Sequence, residues 1–267
     1  MKTIAILLLL LILIFLIYNH IQVSKVYINK TILDNSKLNS ELRLTQISDY
    51  HNNTKINEKK LLKEIEYFNP NMILLTGDII DSKTKDLNST LDLIEKIKAI
   101  NPKIYFVRGN HEIGNKYEDE FIYRLKEIGI NVLDNENQLI ILDGEKINVC
   151  GVSFYINRKD YEKSLEGIDE KNFTLMLSHS PNRPMMYSKG LEDLILSGHT
   201  HGGQVRLPII GAMIVPGQGF FPKYTKGIYK LENTILYIDS GLGNSLLPLR
   251  LFNRVQISNI IIKPIDN

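Results

Sequence analysis

Cysteine is nearly absent from this chain of 267 residues, in which Cys150 is the only one. One thiol cannot form an internal disulfide, so a disulfide-stabilised fold is excluded, while the redox compartment stays open. Cys150 lies in the mostly apolar run 147–152. We interpret it as a buried structural thiol rather than a nucleophile.

An excess of positive charge is also missing, because 32 Lys and Arg residues face 30 Asp and Glu residues and leave a formal net charge of +2. Affinity for nucleic-acid phosphates calls for clustered basic residues, which we do not find, so we predict no nucleic-acid-binding surface. Long Gly/Ser or Pro tracts and internal repeats are absent too. This pattern favours one globular domain at residues 43–267, after a polar linker at 24–42 that includes a short early strand at 26–28.

Charge is absent from Thr3 to Tyr18, a run made almost wholly of Ile and Leu. These 16 residues reach about 24 Å as a helix, and extension to Val23 makes the helix long enough for a hydrocarbon core of about 30 Å. We predict a transmembrane anchor at residues 1–23. A cleaved signal peptide is the alternative, but no A-x-A-like cleavage site follows the run.

The orientation of this single-pass anchor is weakly determined, since Lys2 lies on one side and Lys25 and Lys30 lie on the other. Our hypothesis is a cell-membrane protein whose domain is extracytoplasmic. A reporter fused to the C-terminus that is active only in the cytoplasm would contradict it.

Polar side chains follow each of the first three predicted strands. The strands and the residues that follow them are 44–48 with Asp49 and His51, 72–76 with Asp78, and 104–107 with Asn110 and His111. Apolar residues at helical spacing in 58–68 and 87–100 separate these strands. The alternation predicts a layered α/β domain, in which ligands gather where strands end.

The second half of the chain is richer in strands. The predicted elements are a hairpin of 139–142 and 147–152, strands at 174–178 and 194–197, a hairpin of 227–231 and 235–239, a final strand at 255–262, and an irregular loop at 202–225. His179 follows the first single strand. The stretch SGHTHGGQ, 197–204, follows the second. In an extended segment His199 and His201 face the same way, and the glycines around them let backbone or ligand come close.

Seven side chains at these strand ends are typical metal ligands. They are Asp49, His51, Asp78, Asn110, His179, His199 and His201. A mixture of carboxylate, imidazole and amide suits Mn²⁺, Fe or Zn²⁺, and is too rich in nitrogen for Ca²⁺ or Mg²⁺ alone. Seven ligands are too many for one tetrahedral site, so we predict two divalent metal ions that share a carboxylate.

These motifs resemble the calcineurin-like metallophosphoesterases. The family pattern DxH, GD, GNH[ED], a single H and GHxH is matched in order by 49–51, 77–78, 109–112, His179 and 198–201. The stretches 216–227 and 240–254 are similar to a bacterial membrane-anchored branch that includes UDP-2,3-diacylglucosamine hydrolase-like enzymes. Tyr50 departs from that branch, which commonly has a small or aliphatic residue there.

The resemblance implies an αββα sandwich with the metal site at the C-terminal ends of strands. It implies that one metal is held by Asp49, His51, Asp78 and His201, and the other by Asp78, Asn110, His179 and His199. Two such cations, with Asp78 between them, lower the pKa of a shared water and supply hydroxide that attacks phosphorus. His111, which the pattern does not make a ligand, is then a candidate to protonate the leaving oxygen, with Glu112 as a candidate to orient it.

The sequence indicates the residues that contact the substrate less clearly than it indicates the metal ligands. Gly202, Gly203 and Gln204 adjoin the metal motif and are our candidates for the pocket lining. The basic residues Arg108, Lys223, Arg250 and Arg254 are either phosphate contacts or, as we favour, solvated or salt-bridged residues. Two further sets have two interpretations each, core packing or contact with a lipid or base: Phe220, Phe221 and Tyr224, and the run Leu246, Leu247, Leu249, Leu251 and Phe252.

The function predicted from these residues is metal-dependent hydrolysis of a phosphoester. A phosphodiester or pyrophosphate bond is favoured, and a lipid-linked or envelope substrate is suggested by the anchor. Mn²⁺ is the favoured metal, with Fe and Zn²⁺ as alternatives. A phosphomonoesterase and a catalytically silent metal-binding sensor domain of the same fold are the alternative functions.

Overall fold

Two six-stranded sheets form the centre of the protein, which was analysed as a computed structural model that describes residues 1–215, 218–244 and 247–265. The first sheet has, in spatial order, β1 (Tyr27–Asn35), β16 (Gln256–Pro264), β2 (Leu42–Ile47), β3 (Met72–Leu75), β4 (Ile104–Phe106) and β5 (Asn131–Val132). The second has β14 (Gly227–Leu231), β15 (Thr234–Ile238), β9 (Leu194–Ser197), β8 (Phe173–Ser178), β7 (Glu145–Val152) and β6 (Glu136–Leu142).

Helices cover the outer faces of both sheets. The helices are α1 (Lys2–Ser24), α2 (Glu58–Phe68), α3 (Asn88–Ile100), α4 (Asn110–Ile113), α5 (Glu118–Glu127), α6 (Arg158–Lys163) and α7 (Asn182–Tyr187). Side chains of α2, α3 and α5 share a buried cluster with the first sheet, and those of α6 and α7 pack on the second. The predicted αββα sandwich is therefore confirmed.

Strand β3 shows how the sequence produces these layers. Successive side chains of a strand point to opposite faces. Met72 and Leu74 accordingly lie in the cluster between the two sheets, while Ile73 and Leu75 lie in the cluster under the helices. All four residues are buried because both faces of the sheet are covered.

Strand direction places the candidate site. Strands β2, β3, β4 and β5 run parallel in the first sheet, and β7, β8, β9 and β15 run parallel in the second. The residues that follow β2, β3, β4, β8 and β9 therefore meet at one edge of the sandwich. These are the strand ends at which the sequence places its candidate metal ligands.

Within the predicted linker at residues 24–42, the short strand predicted at 26–28 is longer in the structure. Residues 27–35 form β1, which pairs in parallel with β16 over nine residue pairs, from Tyr27 with Gln256 to Asn35 with Pro264. The pairing joins segments more than 220 positions apart, and local sequence does not show it. Polar residues are tolerated here because β1 is an edge strand with an exposed side.

The loop predicted at 202–225 is largely irregular, with two short antiparallel pairs. They are β10 (Arg206–Leu207) with β11 (Gly211–Ala212), and β12 (Ile214–Val215) with β13 (Gly219–Phe220). Pro216 and Gly217 of the stretch 216–227, Leu246 of the apolar run, and residues 266–267 lie outside the described residues.

Helix α1 is long and apolar enough to cross a membrane. Residues 1–17 are all exposed, so no described part of the protein covers this apolar surface. A buried core helix is thereby excluded for α1.

Candidate metal centre

Three ligand-type side chains from two loops meet at the end of β2: Asp49 and His51 follow β2, and His201 follows β9. Nε2 of His51 lies 3.3 Å from Nε2 of His201, and Nε2 of His201 lies 3.5 Å from Oδ1 of Asp49. Ligand atoms of all three residues lie within 4.8 Å of one another. Two imidazole lone pairs at this distance repel each other unless a proton or a cation lies between them.

A second group of ligand-type atoms includes Asp78, His179 and His199, again within 4.8 Å of one another. Oδ2 of Asp78 lies 3.1 Å from Nε2 of His179. Nδ1 of His179 lies 2.7 Å from the carbonyl oxygen of Thr76. The Nδ1 proton is donated to that carbonyl, and Nε2 faces the cluster as the ligand-type atom.

Asp78 connects the two groups. Its Oδ2 lies 3.1 Å from Nε2 of His179 and 3.7 Å from Nε2 of His51. Its Oδ1 accepts a hydrogen bond of 2.8 Å from the backbone N–H of His111. One oxygen is thus held by the backbone while the other faces histidines of both groups, which is the placement that a shared ligand requires.

The pKa values of these side chains are shifted in both directions. Burial opposes protonation of His179, but the adjacent carboxylate of Asp78 outweighs it and raises the pKa of His179 to about 10. Burial opposes ionisation of Asp78, but His179 and His51 outweigh it and hold the pKa of Asp78 well below its usual range. Burial and the charge of His179 lower the pKa of His199 to about 3. Burial and His51 lower the pKa of His201 well below its usual value. An ionised carboxylate and neutral imidazoles are the forms that bind metals.

Asn110 supplies a further sign that the cluster fits a cation. Its side-chain oxygen Oδ1 is buried and has no hydrogen-bond partner among the described residues. Such an unpaired acceptor costs about 1–3 kcal/mol. Asn110 lies between Gly109 and His111, both of which contact Asp78. A divalent cation bound beside Asp78 fits this donor set of carboxylate, imidazole and amide.

Backbone strain is concentrated in the candidate ligands. Asp49, His51, Asp78, His199 and His201 all have positive φ angles, between 48° and 68°. This region costs a non-glycine residue about 1–3 kcal/mol, and such strain collects at functional sites. The strain stays because the loops are fixed by close contacts, and it supports a functional role for this edge.

Two glycines make the close contacts possible. A Cβ on Gly109 would lie 2.1 Å from Oδ1 of Asp78, and a Cβ on Gly198 would lie 2.3 Å from Oδ2 of Asp49. Both distances are far below van der Waals contact. Only glycine therefore lets these turns pass directly behind the carboxylates.

Glu112 is fully buried and holds the loop that carries Asp78. Its Oε2 accepts hydrogen bonds of 2.8 Å from the backbone N–H groups of Asp78 and Gly109. Its Oε1 accepts bonds of 2.6 and 3.1 Å from those of Ile79 and Ile80. Burial and the charge of Asp78 raise the pKa of Glu112 to about 7, while the backbone N–H donors oppose that rise and favour its ionised form. The prediction that Glu112 orients the His111 ring is wrong, because its carboxylate is engaged with backbone groups.

Glu112→Gln is expected to lower the free energy of unfolding by about 3 kcal/mol. The amide NH₂ of Gln turns toward backbone donors, so at least one buried N–H loses its acceptor. Urea unfolding of the full chain in detergent measures the change, with Glu66→Gln on the exposed face of α2 as the matched control. An unchanged midpoint in Glu112→Gln would contradict this role.

His111 is held by a different pair of residues. The backbone N–H of Ser82 donates to Nδ1 of His111 at 3.2 Å, and Oδ2 of Asp81 lies 3.4 Å from the same nitrogen. With Nδ1 as acceptor, the ring proton lies on Nε2. The ring stands edge-on to His51, with centroids 4.6 Å apart. His111 therefore lies beside the cluster with an N–H donor available.

Sequence reasoning missed Asp81. Its Oδ2 lies 3.6 Å from Nδ1 of His51 and 3.4 Å from Nδ1 of His111, so one carboxylate faces two rings of the site. The contact with His51 and the backbone of Lys83 lower the pKa of Asp81 to about 2. The only sequence signal was its place three residues after Asp78.

The three candidates for the pocket lining make internal contacts. Gly202 lies against Ser240 and Asn253, and Gly203 lies against Ala212. Gln204 donates from Nε2 to the carbonyl oxygens of Leu247 and Leu249, at 3.0 Å each. A contact of Gly202, Gly203 or Gln204 with substrate stays a prediction.

The four basic candidates are engaged within the protein. Arg108 bonds with Glu118 at 2.7 Å and with Asp134. Arg250 is fully buried and donates to the carbonyl oxygens of Ser240, Gly243 and Asn253. Arg254 donates to the carbonyl oxygen of Val26, and Lys223 lies over the ring of Tyr224. A phosphate-binding role for Arg250 is therefore wrong, because all its contacts are inside the protein.

A cavity opens beside His51. It is lined by His51, Asn52, Asn53, Thr54, Lys55, Asp81, Asn244 and Pro248. His51 and Asp81 belong to the cluster described above. The cavity therefore reaches the cluster from one side.

Known proteins resemble this chain in sequence and in fold. A model of the family described as calcineurin-like phosphoesterase matches residues 42–203. The uncharacterized metallophosphoesterase YkuE of Bacillus subtilis is 31% identical over 228 residues, which cover 83% of this chain and 79% of YkuE. The transmembrane protein with metallophosphoesterase domain of Danio rerio is 27% identical over 83% of this chain. The chain spans only 53% of that relative's length.

The solved structure of TT1561 from Thermus thermophilus superposes with a TM-score of 0.53 at 11% identity, over 75% of this chain and 90% of that one. At this identity the likeness concerns the fold alone. The narrower resemblance to UDP-2,3-diacylglucosamine hydrolase-like enzymes stays a prediction.

Proposed function

Since the chain belongs to the calcineurin-like phosphoesterase family and is a metal-dependent phosphoester hydrolase, we propose that it cleaves a phosphodiester or pyrophosphate bond at the cluster around Asp78. The observation that carries the proposal is the position of Asp78 Oδ2 between His51 and His179, 3.7 and 3.1 Å away. No other described carboxylate faces histidines of both groups so closely.

Seven side chains would hold two divalent cations. Asp49, His51, Asp78 and His201 form one set, and Asp78, Asn110, His179 and His199 form the other. Mn²⁺ suits this mixture best, with Fe and Zn²⁺ as alternatives. When bound, such a pair lowers the pKa of water near neutrality and neutralises charge on phosphoryl oxygens.

His111 donates a proton in this proposal. Its Nδ1 accepts from Ser82, so its Nε2–H is free to bind a phosphoryl oxygen or protonate the leaving oxygen. Burial lowers the pKa of His111 and favours the neutral ring, whose Nε2–H donates a hydrogen bond to a phosphoryl oxygen, over the imidazolium that protonation of the leaving oxygen requires. The Ser82 backbone N–H holds the ring in place, which limits the cost of orienting the donor during reaction.

The cavity favours a diester over a monoester. A monoester carries about two negative charges near neutral pH and calls for more cationic side chains than a singly charged diester. Lys55 is the only Lys or Arg among the residues that line the described cavity. Arg108, Arg250 and Arg254 are engaged elsewhere.

We extend the proposal to the membrane. Helix α1 serves as a single-pass anchor, residues 27–264 form the catalytic unit, and this unit is extracytoplasmic. The exposed apolar surface of α1 supports an anchor, and so does the relative described as a transmembrane protein. An anchored enzyme suits a lipid-linked or envelope phosphoester, because its substrate is concentrated at the same surface.

Hydrolysis by the full chain in detergent tests the reaction. The metal-stripped protein is expected to be inactive, and restored Mn²⁺ is expected to give faster cleavage of bis(p-nitrophenyl) phosphate than of p-nitrophenyl phosphate. Faster monoester cleavage would favour a phosphomonoesterase. Tight metal binding without turnover of either ester would favour the silent binding domain and contradict the proposal.

A further inference from the structure

The C-terminal end of α1 is hydrogen-bonded to the loop at residues 248–252, which borders the cavity. The side chain of Asn19 donates to the carbonyl oxygen of Pro248 at 2.8 Å and accepts from the backbone N–H of Arg250 at 3.0 Å. The backbone N–H of Phe252 donates to the hydroxyl of Tyr18 at 2.9 Å, and the two rings pack edge to face. Pro248 also lines the cavity beside His51.

The opposite side of the cavity, which includes Asn53, is hydrogen-bonded to the same end of α1. The side chain of Asn53 donates to the carbonyl oxygens of Val23 and Leu242. Asn53 lines the cavity as well. Both walls of the opening thus contact the last two turns of α1, and the cavity lies next to the point where α1 leaves the domain.

Four loop segments, each hydrogen-bonded to the next, lead away from the C-terminal end of α1. Residues 247–251 bond to Gln204 and pair with Val205. The backbone N–H of Met213 donates to Val205, and that of Phe221 donates to Met213. Each segment is therefore the neighbour of the preceding one, in the order 247–252, 204–206, 212–214 and 219–221.

These segments, together with the turn 208–210 that joins β10 to β11, expose large apolar side chains. We name the following six residues the apolar rim: Ile209, Ile210, Phe220, Phe221, Leu247 and Phe252. Phe220 and Phe221 are 76% and 61% exposed, and Ile209 is fully exposed. An exposed apolar patch on such a scale marks a surface that contacts a partner or a membrane.

We propose that the apolar rim inserts into the surface of the bilayer that holds α1, so that the cavity beside His51 opens at the level of the lipid headgroups. Continuity with the helix selects this occupant. Phe252 of the rim packs on Tyr18 of α1, and the remaining rim residues follow from it segment by segment. Aromatic and aliphatic side chains of this kind bury about 5–10 Å into the headgroup boundary.

The inference rests on the proposed role of α1 as a membrane anchor. It adds that the domain has a fixed orientation relative to the membrane surface. The contacts of Tyr18, Asn19 and Val23 hold the domain to the end of α1, but a single helix can tilt in the bilayer and carry the domain with it. A second, lateral contact through the rim removes that freedom and holds both cavity walls against the surface.

The chain contains no tryptophan, so a single introduced tryptophan reports on its own position. Three variants of the full chain are reconstituted into phosphatidylcholine vesicles with or without bromine on the acyl chains, which quenches tryptophan in contact with lipid. Phe221→Trp probes the outer rim, and Phe252→Trp probes the rim beside α1. Tyr67→Trp is the control, because Tyr67 is exposed and lies in the last turn of α2. This turn precedes the start of β3 and so lies at the edge of the sandwich opposite the candidate site.

Brominated lipid is expected to reduce the emission of Phe221→Trp and of Phe252→Trp about twofold, at the depth expected of interfacial residues, and to leave Tyr67→Trp unchanged. Quenching of Phe252→Trp alone would overturn the inference while keeping the anchor. If neither Phe221→Trp nor Phe252→Trp were quenched, both the rim inference and the membrane anchor would be contradicted. The hydrolysis assay in detergent would still test the proposed reaction, because that assay needs no membrane. A blue shift of Phe221→Trp that grows with protein concentration and needs no lipid would assign the rim to a second copy of the chain, and would also overturn it.

Discussion

Asp78→Asn is expected to reduce metal-dependent hydrolysis of bis(p-nitrophenyl) phosphate by about 10³-fold or more, a loss at the upper end of that seen when one electrostatic element of an active site is removed. The reason is that Asp78, among the carboxylates of the described residues, faces ring nitrogens of both groups, through contacts with His51 and His179. The neutral amide keeps the shape of the side chain. It loses the negative charge that two adjacent cations require.

Metal binding separates this effect from misfolding. Calorimetric titration of the stripped protein with Mn²⁺ is expected to show weaker binding in Asp78→Asn and unchanged binding in Asp92→Asn, a carboxylate on the exposed face of α3. Wild-type turnover by Asp78→Asn with metal present would rule out Asp78 as the shared ligand.

His111→Ala is expected to lower kcat by about 10²–10⁴, the usual contribution of a positioned proton donor. Its Nδ1 accepts from Ser82, so its Nε2–H is the available donor beside His51. Because the side chain of His111 is assigned no metal, Mn²⁺ affinity and KM should change little. A loss in kcat with retained metal is the pattern of a group that acts mainly in the transition state.

His20→Ala is the matched control, because His20 is the histidine outside the cluster and its side chain is exposed on α1. Steady-state kinetics with bis(p-nitrophenyl) phosphate measure both variants beside the wild type. If His111→Ala kept full turnover with its metals bound, the proton-donor role would be refuted.

The elements of this fold were mostly readable from the sequence. Runs such as 72–75 and 194–196 are apolar at every position because both faces of their strands are covered, and 58–68 carries apolar residues at helical spacing. Short helices such as α6 and α7 were missed, since six residues give too little periodicity to recognise.

The position of β1 could not be predicted from its own residues. Its pairing with β16 brings together the two ends of the described domain. Whether a polar segment is a linker or an edge strand depends on a partner more than 200 residues away, and no local pattern encodes that partner.

The sequence by itself determined which chemistry this protein carries. Each ligand-type residue follows an apolar run, and parallel strands must bring their ends to one edge. The tertiary structure decided how those residues divide their tasks. Glu112 accepts hydrogen bonds from backbone amides, and Asp81 faces His51 and His111. Arg250 is buried among backbone carbonyl groups. These roles depend on distances between loops from separate strands, which exist only after the two sheets have packed.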